Sequence, residues 1–236
     1  MNGLAASLAE AGDLADALQS RPAAARVGLC APATLIERLA RCLDGTAVEV
    51  GGQDCHPLQS GAYTGDISAE MLADAGARLV ILGHSERREG HGETDALVAA
   101  KVEAALAAGL EPIICIGETL EQRKAGRAVE TVRARAAGSL PASLKGRAFA
   151  VAYEPVWAIG SGLTPSVGEI VEIHGAIRDY LSRSFGGEGA LVPILYGGSV
   201  KPANAAEILA LAEVGGALVG GASLKAQDFL PIIRAA

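Results

Sequence analysis

Seven short runs of aliphatic residues alternate along the chain with longer alanine- and leucine-rich segments, and this alternation constrains the fold more than any other feature. The runs cover residues 26–30, 48–52, 78–82, 112–116, 148–153, 192–196 and 217–220. Between them, segments such as 94–108, 120–137, 166–184 and 202–211 repeat apolar residues at helical spacing. Aliphatic strands separated by amphipathic helices predict an α/β protein with seven parallel strands, either closed into a barrel or open and doubly wound.

Polar residues lie at the carboxyl ends of these runs. They are His84, Ser85, Glu118, Glu154 and Ser199. A closed barrel gathers its active site at that end of the strands, whereas an open sheet with a dinucleotide site is expected to carry GxGxxG after an early strand. That motif does not follow the early runs. The pattern therefore favours the barrel.

Composition predicts a single domain that spans residues 1–236. Half of the 236 residues are hydrophobic, and no glycine- or proline-rich linker divides them. The formal charge of −7 argues against a general nucleic-acid surface, although backbone amides can still bind a small anion. The four cysteines have no CxxC or His-rich metal spacing, and no stretch of eighteen apolar residues occurs. We expect a cytoplasmic protein that needs no metal and binds neither membrane nor nucleic acid.

Three segments give a more specific signal. They read Tyr-Glu-Pro-Val-Trp-Ala-Ile-Gly-Ser-Gly at 153–162, Gly-His-Ser-Glu-Arg-Arg at 83–88 and Tyr-Gly-Gly-Ser-Val at 196–200. Together they resemble the triosephosphate isomerase family, and the resemblance extends over nearly the whole chain. It implies a TIM (β/α)8-type barrel. It also implies cofactor-free interconversion of dihydroxyacetone phosphate and D-glyceraldehyde 3-phosphate, as in glycolysis and gluconeogenesis.

The resemblance implies a catalytic base and an electrophile. Glu154 would move a proton between C1 and C2 of the substrate, because a buried carboxylate beside a closing loop can act as a base away from water. His84 would polarise the carbonyl as a neutral imidazole, a use of histidine for which triosephosphate isomerase itself is the standard example. Ser85 would support this pair as a neighbour, and Glu86 resembles the carboxylate that engages the catalytic lysine in the family. Without the motifs, a structural ion pair for Glu154 and a satisfied polar side chain for His84 are the plainer interpretations.

A phosphate site and a lid are implied in the same way. Backbone N–H groups of Gly160, Ser199, Gly220 and Gly221 would hold the phosphate, although glycines at strand ends are commonly just turn residues. The lid would comprise Pro155, Val156, Trp157, Ala158, Ile159, Gly160, Ser161 and Gly162.

The chain opens with Met-Asn-Gly, the tripeptide that follows Asn-x-Lys in the first strand of the family. We therefore expect a barrel that is missing this strand together with its asparagine and catalytic lysine. Loss of one stabilising donor typically lowers turnover by about 10²- to 10³-fold, so low activity is expected. The alternative is a catalytically silent phosphometabolite-binding relative. A Schiff-base aldolase would need a strand lysine, which the seven runs do not contain.

Two features predict contacts with a second chain. The resemblance implies that the long loop 53–68 inserts Thr64 into a partner subunit near its active site and forms a homodimer, whereas an ordered loop on a monomer is the alternative. The runs 26–30 and 217–220 would each keep one unpaired edge, which costs stability. We expect these edges to be covered by the amino-terminal segment or by subunit contacts.

Overall fold

The computed structural model describes residues 1–159 and 163–236, and these ranges contain seven strands and ten α-helices. The strands are β1 (Val27–Ala31), β2 (Val48–Gly52), β3 (Leu79–Leu82), β4 (Glu111–Glu118), β5 (Ala150–Pro155), β6 (Ile194–Tyr196) and β7 (Gly216–Ala217). The helices are α1 (Leu8–Ser20), α2 (Ile36–Cys42), α3 (Ala69–Asp74), α4 (Ser85–Gly90), α5 (Asp95–Ala107), α6 (Leu120–Lys124), α7 (Ala128–Ser139), α8 (Val167–Phe185), α9 (Ala205–Leu209) and α10 (Ala226–Ile233). None of the described helices is long and apolar enough to cross a membrane.

The strands form one parallel sheet in the order β1 to β7, so strands that are consecutive in sequence lie side by side. Helices connect them, as parallel pairing requires. The sheet curls into an incomplete barrel with the helices outside. The predicted α/β barrel with seven parallel strands is confirmed.

Two element boundaries differ from the sequence prediction in ways that affect the site. β4 runs on to Glu118 because the pairs Gly117↔Glu154 and Glu118↔Pro155 extend its ladder with β5. Glu118 and Glu154 therefore lie on the last paired residues of β4 and β5, and not in the loops that follow. The predicted helix 120–137 is two helices, α6 and α7, because the chain turns at Gly126 with φ +70°.

Side chains of the central strands alternate between two cores. On β4, Ile114 and Ile116 pack toward the helices, whereas Ile113 and Cys115 pack inside the barrel. On β5 the inner side chains are Ala150 and Ala152. Because side chains alternate along a strand, position 154 follows these alanines on the inner face. The same alternation that fills the barrel with small residues thus points one carboxylate into it.

The end strands β1 and β7 have no second strand partner among the described residues. The amino-terminal segment does not pair with either edge: it forms a short 3-10 turn at Ala5–Ser7, and Gly3 lies against Pro32. Helix α1 instead packs beside α2 and α10, where Glu10 binds the Lys225 ammonium group at 2.8 Å. The amino-terminal segment therefore does not close the gap as a strand, and covering of the two edges by this segment in another way or by subunit contacts stays a prediction.

Candidate active site

Glu154 lies inside the barrel on β5 and is 1% exposed. The backbone N–H of Ser85 donates to its Oε2 at 2.9 Å, and the Ser85 hydroxyl donates to its Oε1 at 3.0 Å. His84 Nε2 lies 2.9 Å from the same Oε1. The structure thus brings together three of the residues that the sequence singled out, and it surrounds a buried carboxylate with donors.

Close passage of two strands at Glu154 depends on Gly117. A Cβ atom at this position would lie 1.8 Å from the carbonyl oxygen of Glu154. A side chain cannot occupy that space, so glycine lets β4 and β5 pair up to the carboxylate. The backbone of Glu154 is held on one side by this tight ladder, and on the other side the pairing of β5 with β6 ends one residue earlier, at Tyr153↔Tyr196.

His84 caps helix α4, and this role fixes its tautomer. Its Nδ1 accepts a hydrogen bond from the Glu86 backbone N–H at 3.3 Å, which leaves Nε2 as the protonated nitrogen that donates to Glu154. Burial opposes a charged imidazole, but the hydrogen bond and charge of Glu154, with a contribution from Glu86, outweigh burial and raise the His84 pKa. The Glu86 side chain itself is exposed, so its contribution at this site is its amide and its charge.

The described part of the predicted lid, Pro155–Ile159, leaves the end of β5 through a 3-10 turn and is anchored by Glu118. The Trp157 indole N–H donates to Glu118 Oε1 at 2.9 Å, and the Tyr153 hydroxyl donates to the same oxygen at 3.1 Å. Arg123 Nε also donates to it at 2.7 Å. Gly160, Ser161 and Gly162 lie outside the described residues.

The residues predicted for phosphate lie in the turns after β6 and β7. Gly220 and Gly221 lead into a 3-10 turn at Gly221–Ser223, and a Cβ atom at either glycine would have no neighbour within 4 Å. An anion could therefore approach their backbone closely. The Asn204 side chain shapes the turn at Ser199, because its amide donates to the Ser199 carbonyl at 3.1 Å and its oxygen accepts from the Lys201 N–H at 2.7 Å.

Comparison with known proteins identifies the family. The family model described as triosephosphate isomerase matches residues 1–236. The chain belongs to this family. The triosephosphate isomerase of Caulobacter vibrioides is 63% identical over 235 residues, covering 100% of this chain and 93% of that protein. That of Ruegeria pomeroyi is 57% identical over 238 residues, with 100% and 93% covered.

A crystal structure of triosephosphate isomerase from Bartonella henselae is also similar. Its TM-score is 0.93 at 47% sequence identity, covering 100% of this chain and 94% of that chain. Similarity of this extent shows the same fold and the same enzyme family. The chain is therefore an enzyme of the isomerase class.

Loop 53–68, for which the family resemblance predicts subunit contact, is anchored at both ends and exposed at its tip. Near its start, Asp54 accepts hydrogen bonds from Lys101 at 2.7 and 2.8 Å. Near its end, His56 pairs with Ser68, which caps helix α3. Between these anchors Tyr63 is exposed and packs on the His56 ring, with 4.2 Å between ring centroids. Thr64 is exposed beside it.

A group of four charges, two of them buried, lies beneath this loop and was not found from the sequence. Lys101 and Arg87 face Asp54 and Glu93, and all four N···O contacts lie between 2.6 and 2.8 Å. The side chains of Lys101 and Glu93 are only 5% and 2% exposed. We name Asp54, Arg87, Glu93 and Lys101 the four-charge cluster. Because Arg87 lies on α4, the cluster joins the loop to the helix that carries Ser85.

Residues that the sequence left without a role hold the site in place. Glu118 was noted only for its position at a strand end, but it is fully buried and binds the lid tryptophan. Arg123 and Asn204 were not noted at all. The only sequence signal for the pair of Glu118 and Arg123 is an arginine five residues after a strand-end glutamate. An ordinary exposed ion pair can have the same spacing. Within the described ranges, no group of three or more metal-ligating side chains is present.

Proposed function

We propose that the chain interconverts dihydroxyacetone phosphate and D-glyceraldehyde 3-phosphate through an enediolate, with Glu154 as base and His84 as hydrogen-bond donor. The observation that carries this proposal is the 2.9 Å contact between His84 Nε2 and Glu154 Oε1 at the carboxyl end of the strands. A ketone or aldehyde that enters beside this pair meets a proton acceptor and a hydrogen-bond donor together. Family membership supports the same reaction.

The proposed reaction conserves every atom of the substrate. Glu154 takes a proton from C1 of dihydroxyacetone phosphate, and the electron pair of the broken C–H bond forms the C1–C2 double bond of the enediolate. The Nε2–H of His84 stabilises the negative charge that develops on the carbonyl oxygen. The Glu154 carboxylic acid then returns the proton to C2, while the hydroxyl proton moves between the two oxygens. The product is the isomeric aldehyde.

Substrate binding is proposed to change the charge balance at His84. In the ligand-free chain Glu154 raises the His84 pKa, whereas the Glu86 N–H at Nδ1 favours the neutral ring. A substrate carbonyl that takes the place of Glu154 at Nε2 removes the nearest negative charge from the imidazole. The pKa of His84 then falls, and a neutral donor is what an enediolate oxygen needs for proton exchange near pH 7.

We assign phosphate binding to the turns that carry Ser199, Gly220 and Gly221, with Gly160 contributing from the lid. Support comes from the open approach to Gly220 and Gly221 and from the side chain of Asn204, which holds the Ser199 turn. Interaction energy with the phosphate can then position C1 against Glu154. Closure of residues 155–162 would keep water from the enediolate.

The direct test is turnover of dihydroxyacetone phosphate by the purified 236-residue chain, followed by oxidation of the product by a coupling dehydrogenase. We expect saturable turnover that is inhibited competitively by 2-phosphoglycolate, whose carboxylate mimics the enediolate. The low rate expected from the sequence stays a prediction for this assay. A chain that binds 2-phosphoglycolate without turnover above background would contradict the isomerase proposal and indicate the silent binding relative.

We also propose that the chain is a single domain that works in the cytoplasm as a homodimer through loop 53–68. Support for the dimer comes from the exposed apolar side chains of Leu58 and Tyr63 beside Thr64. Both ends of the loop are anchored, so the tip is presented in a defined position.

Thr64→Arg is expected to shift the chain from dimer to monomer, because a partner pocket shaped for a small hydroxyl side chain cannot bury a guanidinium group. Ser184→Arg, at an exposed position near the end of α8, is the matched control and should leave the mass unchanged. Light scattering on the eluate of a gel-filtration column measures both. An unsubstituted chain with the mass of one subunit at every concentration would reject the dimer.

A further inference from the structure

The side chain of Arg88 joins four elements behind the active site. It lies on α4 and is 11% exposed. Nε donates to the Gly83 carbonyl at 2.7 Å, and Nη2 donates to the Cys115 carbonyl and to the Ser139 hydroxyl at 3.0 Å each. Nη1 donates to Asp95 Oδ1 at 2.6 Å. One guanidinium group thus contacts the end of β3, the middle of β4, the start of α5 and the end of α7.

Both backbone carbonyls that Arg88 binds lie where one strand has ended and the next continues. The last pair between β3 and β4 is Leu82↔Ile114, and Gly83 and Cys115 each follow it by one residue. Backbone carbonyls buried at such a place need a donor from elsewhere. The rigid planar fork of a guanidinium can donate in two directions at once. Arg88 therefore supplies donors where the β3–β4 ladder has ended, and it holds these two strands together past their last pair.

These two carbonyls belong to residues that touch the catalytic pair. Gly83 immediately precedes His84, and its φ of +67° sets the direction in which the chain enters α4. A Cβ atom on Gly83 would lie 2.9 Å from Nη2 of Arg88, so the guanidinium packs directly against this turn. On the other strand, burial raises the pKa of the Cys115 thiol well above its usual range, and the adjacent Glu154 carboxylate raises it further.

We propose that Arg88 is a positioning residue that sets the spacing between His84 and Glu154 by fixing the backbone at Gly83 and Cys115. The inference rests on the proposed function of that pair. Asp95 keeps the guanidinium in place and balances its charge, and it accepts further hydrogen bonds from Ser139 at 3.0 Å and Arg135 at 3.2 Å. Arg88 does not touch the substrate; it acts on the reaction through the backbone.

Arg88→Lys separates this role from simple charge balance. A lysine keeps the positive charge and can pair with Asp95, but its single nitrogen cannot span the two carbonyls. We expect kcat to fall by about 10²-fold with KM changed by less than about twofold, because small displacements of reacting groups weaken catalysis more than binding. Arg135→Gln is the matched control: it removes the other cation beside Asp95, touches neither carbonyl and should leave both constants unchanged.

A second measurement reports on spacing directly. In the ligand-free protein, NMR of ¹⁵N-labelled histidine follows the His84 imidazole, whose charged neighbours are Glu154 and Glu86. Arg88→Lys should lower the pKa of His84 toward its ordinary value, since a longer distance weakens the pairing with Glu154. A role limited to stability would lower the melting temperature without this shift. Asp95→Asn, which loosens Arg88 without removing it, should give a change of the same sign and about one tenth of the loss in kcat.

Unchanged kcat and an unchanged His84 pKa in Arg88→Lys would overturn the proposal. Should Arg88→Lys fail to fold, Asp95→Asn decides by the same two readouts. A complete absence of turnover in the unsubstituted chain would instead overturn the proposed function, and the His84 titration would still decide whether Arg88 sets the spacing.

Discussion

Replacing Glu154 with glutamine is expected to lower kcat by about 10²- to 10⁴-fold, the range that a positioned general base contributes. The amide has the shape of the carboxylate but cannot take a proton from carbon. Its oxygen can still accept from the Ser85 N–H, which now donates to Oε2 at 2.9 Å, and its NH2 group, in the place of Oε1, can donate to the Ser85 hydroxyl oxygen, which lies 3.0 Å away. The fold is therefore retained, and the loss appears in the chemical step. A coupled assay at saturating substrate, run on the Glu154→Gln variant and on the unsubstituted protein, measures this loss of kcat.

Two further variants make this experiment specific. Glu103→Gln makes the same change at an exposed carboxylate on α5 and should leave kcat unchanged. Glu154→Asp keeps the base but withdraws it by one methylene group, so its rate should lie between those of the parent and Glu154→Gln. A trace signal of equal size in all four proteins would come from a contaminating isomerase, and Glu154 would lose its assigned role.

The inward direction of Glu154 could be predicted because it depends on local regularity. Ala150, Ala152 and Glu154 share one face of a strand by simple alternation, and glycine-rich turns after the strands mark the end at which the site lies. His84 followed from its motif together with its position after an aliphatic run. These features need no knowledge of which side chains meet across the barrel.

Contacts between distant segments were beyond the reach of the sequence. Arg88 binds Cys115 and Ser139, which are 27 and 51 residues away, and Glu118 binds Trp157 across 39 residues. In the sequence each of these charged residues resembles one on a solvated helix face or loop, because periodicity reports on apolar residues and not on pairing partners. The same limit applies to Lys101, which the pattern of α5 places only on an outer helix.

The largest stability effect is expected at that lysine. Lys101→Met should lower the free energy of unfolding by about 3–5 kcal/mol, as is typical when one partner of a buried ion pair is removed. The four-charge cluster now balances two cations against two anions. Methionine leaves Asp54 and Glu93 to share Arg87 alone, so one negative charge is uncompensated beside Glu93, whose side chain is only 2% exposed. Urea unfolding followed by circular dichroism measures the change.

Charge balance, and not lysine packing alone, is the cause we assign, and a second substitution tests it. Glu93→Leu in the Lys101→Met background removes the uncompensated anion and leaves Asp54 paired with Arg87 at 2.8 Å. The double variant should therefore be more stable than Lys101→Met, because buried ion pairs are often replaceable by apolar groups although single partners are not. If the two losses simply add, the cluster is not coupled in the way its 2.6 Å contacts indicate. Since Asp54 lies near the start of the loop that carries Thr64 and Arg87 shares α4 with Ser85, a coupled cluster would also link the proposed subunit contact to the position of the proposed base.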